Sequence, residues 1–292
     1  MGLGLAALGR PAYINIGRDT DLGADRSLEA MERRSHSVMS AAYDAGIRYF
    51  DAARSYGYAE RFLSSWLHAR GISPGEVTVG SKWGYSYVGD WQLDAQVHEI
   101  KDHSLPALRR QYAESRALLG DFLNLYQVHS ATLESGILED RRVLAALNEL
   151  RAAGLVIGLS VSGPRQGDII RRALTVEVDG QSPFQCVQAT WNLLEPSAAP
   201  ALAEAHAAGW GVIIKEALAN GRLVSQDRVA IAAALANPWA DVVLSGAVSA
   251  AQLESNVAAL NRSLSGEERE SLRSLAERAD QYWRDRSRLP WS

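Results

Sequence analysis

The chain alternates between two hydrophobic rhythms. Short apolar runs recur at residues 3–8, 47–50, 77–82, 122–129, 156–160, 186–190, 211–215 and 241–245. They are rich in Val, Ile, Leu and aromatic residues with little polar alternation, as in strands buried on both faces. Between them apolar residues return at helical spacing. In 26–45, Leu28, Met31, Val38, Ala42 and Ala45 fall on or near one face, and Gly46 closes the segment. Further helices are predicted over 58–70, 104–119, 140–153, 164–174, 197–208, 226–236, 250–260 and 265–284, several of them stopped by glycine. Pro106 falls in a first turn, where proline is tolerated. Residues 11–25 and 83–101 read as loops, the second rich in aromatics and glycine.

Eight strand–helix units in succession predict an α/β chain closed as a (β/α)8 TIM barrel. The rival is an open doubly wound sheet. No Gly-x-Gly-x-x-Gly follows an early strand, which weakens that reading. No linker or low-complexity stretch interrupts the pattern. A single domain is therefore expected over 1–292, with a C-terminal helix and tail, about 265–292, near the barrel mouth.

Composition narrows the class. Hydrophobic content of 47% and charged content of 22% suit a globular chain with a substantial core. A net charge of −4 gives no reason to expect nucleic acid or membrane partners. The single cysteine, Cys186, rules out an internal disulfide, suits a reducing cytosol and reads as a small buried hydrophobe. No signal-peptide pattern and no membrane-length apolar run is visible, so a cytoplasmic location is expected.

Polar residues close several of these strands. Asp51 ends the second, Lys82 the third and His129 the fourth, and Tyr56 follows Asp51 in a small-residue turn ending at Gly57. Taken singly, Asp51 could cap a helix and Tyr56 could pack. Together, at the strand ends where barrels build their sites, they form a constellation. A salt-bridged barrel mouth without activity is the structural alternative. His36, His68, His98, His103 and His206 lack ligand-like spacing, and no metal site is expected.

These residues sit in stretches that resemble the aldo-keto reductase superfamily. They are Phe50-Asp51-Ala52-Ala53-Arg54-Ser55-Tyr56-Gly57, Ser81-Lys82-Trp83-Gly84 and Leu125-Tyr126-Gln127-Val128-His129-Ser130. Ile157-Gly158-Leu159-Ser160 and Gln188-Ala189-Thr190-Trp191-Asn192-Leu193-Leu194 fit as well. The resemblance implies an oxidoreductase dependent on NAD(P)(H), reducing aldehyde or ketone carbonyls to alcohols or the reverse. Tyr56 would be its general acid/base, and a small carbonyl or alcohol compound its substrate. Asp51 would hold Lys82, His129 would orient the substrate oxygen, and the Lys82 ammonium would draw down the pKa of the phenol. An NAD-dependent sugar or polyol dehydrogenase of the same fold is the alternative. A non-catalytic cofactor-sensing subunit is the alternative of another class.

The resemblance also implies a cofactor groove made by Ser160, Gln188, Trp191, Lys215, Leu218, Asn220, Gly246, Ser249, Gln252 and Asn256. Two departures stand out. Val161 replaces a common asparagine, and Lys215-Glu216 replaces a common Tyr-Ser pair. The segment 245–256 carries no Lys or Arg, where relatives that select a 2′-phosphate usually place one. NADP(H) is thus the family default and NAD(H) a serious alternative, with Arg222 or Arg262 as possible distant phosphate partners. The loops would supply an aromatic substrate pocket from Tyr13, Trp83, Tyr85, Tyr87 and Trp91, with Tyr282, Trp283 and Trp291 of the tail beside it.

Overall fold

A computed structural model describes residues 1–291, with all their side chains except those of Arg18 and Asp19. The first half of the chain runs β1 (Gly2–Gly4), α1 (Arg18–Leu22), α2 (Leu28–Asp44), β2 (Tyr49–Asp51), α3 (Ala59–Ala69), β3 (Thr78–Trp83), β4 (Tyr85–Tyr87), β5 (Glu99–Lys101) and α4 (Leu105–Leu119). It continues through β6 (Leu123–Ala131), α5 (Arg141–Ala152), β7 (Val156–Val161), α6 (Gln166–Leu174), β8 (Cys186–Thr190) and α7 (Ala199–Ala207). The last part holds β9 (Gly211–Lys215), α8 (Asp227–Leu235), β10 (Val242–Ser245), α9 (Ala250–Ala258), α10 (Gly266–Arg273) and α11 (Ala279–Arg286).

Eight parallel strands close on themselves in the order β1-β10-β9-β8-β7-β6-β3-β2. The register ties strand-end residues together: Asp51 pairs with Gly80 and with Gly4, and Ser160 with Gln188. Helices pack their apolar faces on the outside of this ring. Met31, Val38 and Met39 of α2 and Phe62, Leu63 and Trp66 of α3 are fully buried there. Inside the ring, Tyr49, Leu125, Cys186, Ile213 and Leu244 form a separate apolar cluster beneath Asp51, whose carboxylate the Tyr49 hydroxyl reaches at 3.1 Å. Gly80 makes room for it, since a Cβ there would meet the Tyr49 hydroxyl at 2.4 Å.

Four elements differ from the expectation. The first strand stops at Gly4, because Leu8 and Gly9 turn back to hydrogen-bond the Leu5 carbonyl. The loop over 11–25 holds the short helix α1. The loop over 83–101 is pinned by an antiparallel hairpin, β4 with β5. The single helix expected over 265–284 is two helices. Exposed α10 carries no buried residue, and α11 turns to bury Tyr282 and Trp283 among Leu193, Leu194 and Leu223. No helix among the described residues is long and apolar enough to cross a membrane.

Candidate active site

The site begins where β2 and β3 end. Asp51 is buried, and its carboxylate accepts from Lys82 Nζ, from Gln188 Nε2 at 2.9 Å and from the Tyr49 hydroxyl at 3.1 Å. Lys82 Nζ also donates to the Ala52 carbonyl at 3.0 Å. The lysine is fully buried, so this pairing is what makes its charge tolerable. Behind it Glu60 of α3 accepts from Arg54, from Ser81 at 2.6 Å and from Ser115 of α4 at 2.7 Å. That buried carboxylate locks two helices to β3.

The Tyr56 turn is clamped from the other side. Tyr58 N–H donates to the Gly9 carbonyl at 2.7 Å, and Arg10 Nη1 donates to the Ser55 carbonyl at 2.9 Å. The two turns lie so close that a Cβ on Gly9 would meet the Tyr56 carbonyl at 2.2 Å. Gly57 has φ +59°, and a Cβ there would meet the Gly9 carbonyl at 2.4 Å. Only glycine fits both places.

Tyr56, Lys82 and His129 come together. The Tyr56 ring lies 4.9 Å from Lys82 Nζ, and its centroid is 5.5 Å from that of His129, edge to face. His129 Nδ1 is 3.3 Å from Ser55 Oγ. Burial first, then the cations Lys82, Arg10 and Lys215, hold the imidazole well below its ordinary pKa, so it is neutral. The phenol corrects the sequence expectation. Burial and then the Asp51 carboxylate push Tyr56 well above 10, against the pull of Arg10.

Arg10 itself was not anticipated. It is 2% exposed, pairs with Glu99 at 2.7 Å, and stands 5.2 Å from the Tyr56 ring. The only hint in sequence is an arginine inside a glycine-rich apolar stretch.

A cavity of about 270 Å³ opens at Asp51, Tyr56 and Gln188 and extends to Gln252 and Asn256. Of the anticipated groove residues, Gln188, Lys215, Leu218, Asn220, Gly246, Gln252 and Asn256 line it. Three do not. Ser160 Oγ accepts from the Ser130 N–H at 2.8 Å, Ser249 Oγ caps α9 by accepting from Gln252 N at 3.2 Å, and Trp191 packs edge-on against Trp239 in the core. Asp21 and Asp227 join the lining, and Lys215 is its one cation among the described residues. Asn220 Oδ1 is buried without a donor among the described residues, an acceptor suited to a hydroxyl-bearing ligand. A long cavity that starts at Asp51 and Tyr56 and carries such an acceptor fits an extended dinucleotide.

At the end of β9 the replacement pair is built into a network. Lys215 Nζ donates to Thr190 Oγ1 at 2.8 Å and Ser162 Oγ at 3.3 Å. Glu216 accepts from Thr190 Oγ1 at 3.0 Å and from Arg286 of α11 through Nε and Nη2. Burial alone would raise the pKa of Glu216, but Arg286 and Lys215 outweigh it and hold it at about 2. Burial pushes Lys215 down to about 8. Arg222 and Arg262 are engaged away from the groove, with Glu277 and Glu268. Arg228 reaches Ser255 at 3.2 Å.

The aromatic mouth divides. Tyr13 lines the cavity, and Tyr85 sets its edge 5.1 Å from His129. Trp83 is fully buried against His103. Trp91 packs on Tyr58 and Phe62, donates to the Arg26 carbonyl at 2.8 Å and gives its backbone N–H to Tyr87. Trp83, Tyr87 and Trp91 therefore hold loops and do not face the site. From the tail, Trp291 stacks on His98 at 4.3 Å, lies over Arg10, and forms a bridge with Ile14. Tyr85, His98, Glu99 and Trp291 border an outer recess of about 440 Å³.

Comparison with known proteins gives a consistent result. The model of the Aldo/keto reductase family matches residues 2–228. D-threo-aldose 1-dehydrogenase of a Pseudomonas species is 27% identical over 77% of this chain and 69% of its own length. Norsolorinic acid reductase of Aspergillus flavus is 24% identical over 56% of this chain, and the match spans only 42% of that protein's length. A putative aldo-keto reductase of Pseudomonas aeruginosa has a solved structure with TM-score 0.65 and 26% identity, covering 88% of each chain. The holo form of an aldo-keto reductase from Bacillus halodurans gives TM-score 0.69 at 21% identity over 96% of this chain and 92% of its own, a likeness of fold.

Proposed function

This chain belongs to the aldo/keto reductase family, and on that premise we propose that it is an NAD(P)(H)-dependent oxidoreductase interconverting an aldehyde or ketone with its alcohol. The observation that carries the reading is convergence. Asp51 and Tyr56 line one end of the long cavity, with Lys82 and His129 packed against the same phenol.

A bound nicotinamide would supply the hydride. Gln188, Lys215, Leu218, Asn220, Gly246, Gln252 and Asn256 would hold the dinucleotide along the cavity. Tyr56 is the proton donor for reduction and the acceptor for oxidation. A phenol held well above 10 stays protonated at neutral pH, the form needed to donate. Neutral His129, with Nδ1 turned to Ser55, presents Nε2 to the carbonyl oxygen. Lys82, fixed by Asp51, faces the ring from behind and favours any negative charge that builds on the phenolic oxygen. Ser160, Ser249 and Trp191 would support the walls from outside. A non-catalytic sensor would have no use for this assembled proton-transfer group.

Cofactor choice leans toward NAD(H) being used alongside the family's usual NADP(H). Asp21 and Asp227 line the cavity, and no cation lies between Ser245 and Asn256. Carboxylates accept from ribose hydroxyls and repel a phosphate. The same observation keeps an aldose or polyol substrate in view, as the likeness to an aldose dehydrogenase also does. The test is turnover followed by reduced-nicotinamide absorbance over a panel of aldehydes, ketones, aldoses and polyols, with each dinucleotide. Absence of turnover with all of them, or full activity in Tyr56→Phe, would overturn the reading.

A further inference from the structure

The cavity's catalytic end holds an unusual balance of charge. Lys82 is matched by Asp51, and Arg286 by Glu216. Lys215 lies 4.0 Å from Glu216 as well, but that carboxylate already serves Arg286 and Thr190. Counting Lys215, Glu216 and Arg286 together leaves one positive charge beside the cavity. It is not diffuse: Lys215 Nζ is fixed by Thr190 and Ser162, and it faces the Trp283 ring at 5.8 Å.

A hydride donor must reach a carbon whose oxygen takes the Tyr56 proton. The part of the cavity that allows this is bounded by Asp51, Tyr56, Gln188 and Lys215. The nicotinamide ring is neutral when reduced and cationic when oxidised. We propose that Lys215 makes this site discriminate by redox state, holding reduced nicotinamide and expelling the oxidised form through charge repulsion. The proposal rests on the dinucleotide reading above and adds a specificity that reading does not contain. Its consequence is rapid release of oxidised dinucleotide after each carbonyl reduction.

The size follows from Coulomb's law. Two unit charges about 6 Å apart in a partly buried site interact strongly enough for a preference on the order of ten-fold or more. The offset by Glu216 argues for the lower end. Burial brings Lys215 to about 8, so its charge also fades within an accessible pH range. The charged groups around it are Glu216 beside it in sequence, Arg286 from α11, and Asp51 and Lys82 from β2 and β3, with the titratable but neutral His129 from β6. Among these neighbours, Glu216 at about 2 does not titrate near pH 8, and His129 is neutral well below it.

The experiment measures dissociation constants for NADH and NAD+ by fluorescence quenching or calorimetry, with no substrate and no turnover. Wild type should bind NADH about ten-fold more tightly than NAD+ at pH 7. Lys215→Met and Lys215→Gln should shrink that ratio several-fold, chiefly by tightening NAD+, and Lys215→Arg should keep it. In wild type, NAD+ should bind more tightly as pH rises through about 8, with NADH little changed. A wild-type ratio near one, or a ratio that both neutral variants leave intact, overturns the proposal. If neither dinucleotide binds, the oxidoreductase reading itself falls, and this inference with it.

Discussion

At Tyr56 the folded chain sets a protonation state that composition alone could not. Burial and Asp51 keep the phenol protonated well above its ordinary 10, and burial with three cations keeps His129 neutral. Neither group should therefore titrate near neutrality. The single-turnover rate of carbonyl reduction, at saturating reduced dinucleotide, should show no falling limb from about pH 6.5 to 9, where Lys215 is the neighbour that loses its charge. A falling limb inside that window would take the proton away from Tyr56. Tyr56→Phe removes only the transferable proton and should slow turnover about 10²–10⁴-fold while dinucleotide binding persists. Lys82→Met acts differently. It strands the Asp51 carboxylate with only Gln188 and Tyr49, so it should cost about 3–5 kcal/mol of stability as well as turnover. Asp51→Asn, which keeps a polar partner for Lys82, should be milder on both counts. Urea unfolding of the two variants gives the comparison, and equal midpoints would contradict it. The legible residues here were those that ended an apolar run with a charge. Arg10 was hidden because it sits in a turn, paired to a hairpin strand far along the chain.

Elements were legible wherever burial made a run continuous. β8 and β9 fall on the predicted residues because both faces of a parallel strand are covered. β4 and β5 were missed because each is three residues long and they pair across a long intervening loop, in which Gly89-Asp90 does not read as a tight hairpin turn. The break between α10 and α11 has no glycine or proline to mark it. It comes from tertiary packing, since α11 must swing to bury Tyr282 and Trp283 while α10 stays in solvent. Aromatics after strands were equally ambiguous: Trp191 and Tyr13 look alike in sequence, yet one is core and the other lines the cavity. The α3–β3–α4 junction is where element packing meets the site. Glu60→Ala would leave Arg54, Ser81 and Ser115 without their common partner. Because Arg54 can regain some water, the loss should be about 2–4 kcal/mol. Turnover should fall further than that stability loss predicts, because Arg54 N–H donates to the Lys82 carbonyl. A thermal unfolding midpoint unchanged in Glu60→Ala would show the junction to be dispensable.

The whole molecule is a barrel whose open end is strapped by its own C-terminus, and the strap and the cavity share one electrostatic economy. Glu216 and Arg286 join β9 to α11. Their link is acid-resistant. A folded pKa of about 2 against an ordinary 4.5 gives stability that is complete above 4.5 and lost only as pH falls from there through 2. The Tm gap between wild type and Glu216→Gln should therefore stay constant from pH 8 to 5. The cavity lining also presents Asp21, Asp227 and Gln252, with Lys215 its one cation among the described residues. Beside them a 2′-phosphate would face two carboxylates and gain neutral hydrogen bonds from the described residues, whereas a 2′-hydroxyl could donate to the carboxylates. NADH should consequently be bound at least as well as NADPH. Gln252 faces this region with its amide oxygen held by the Val248 N–H at 3.0 Å, so a longer cationic side chain there can reach into the cavity. Gln252→Arg should raise NADPH affinity by about 1–3 kcal/mol through a charge-assisted bond and leave NADH nearly unchanged. Asp227→Asn should move the ratio the same way by a smaller step. Dissociation constants for both dinucleotides in the three proteins decide it. A wild type several hundred-fold selective for NADPH would sink the idea. It would point to Arg228, already in reach of Ser255, since Arg222 and Arg262 are committed to Glu277 and Glu268.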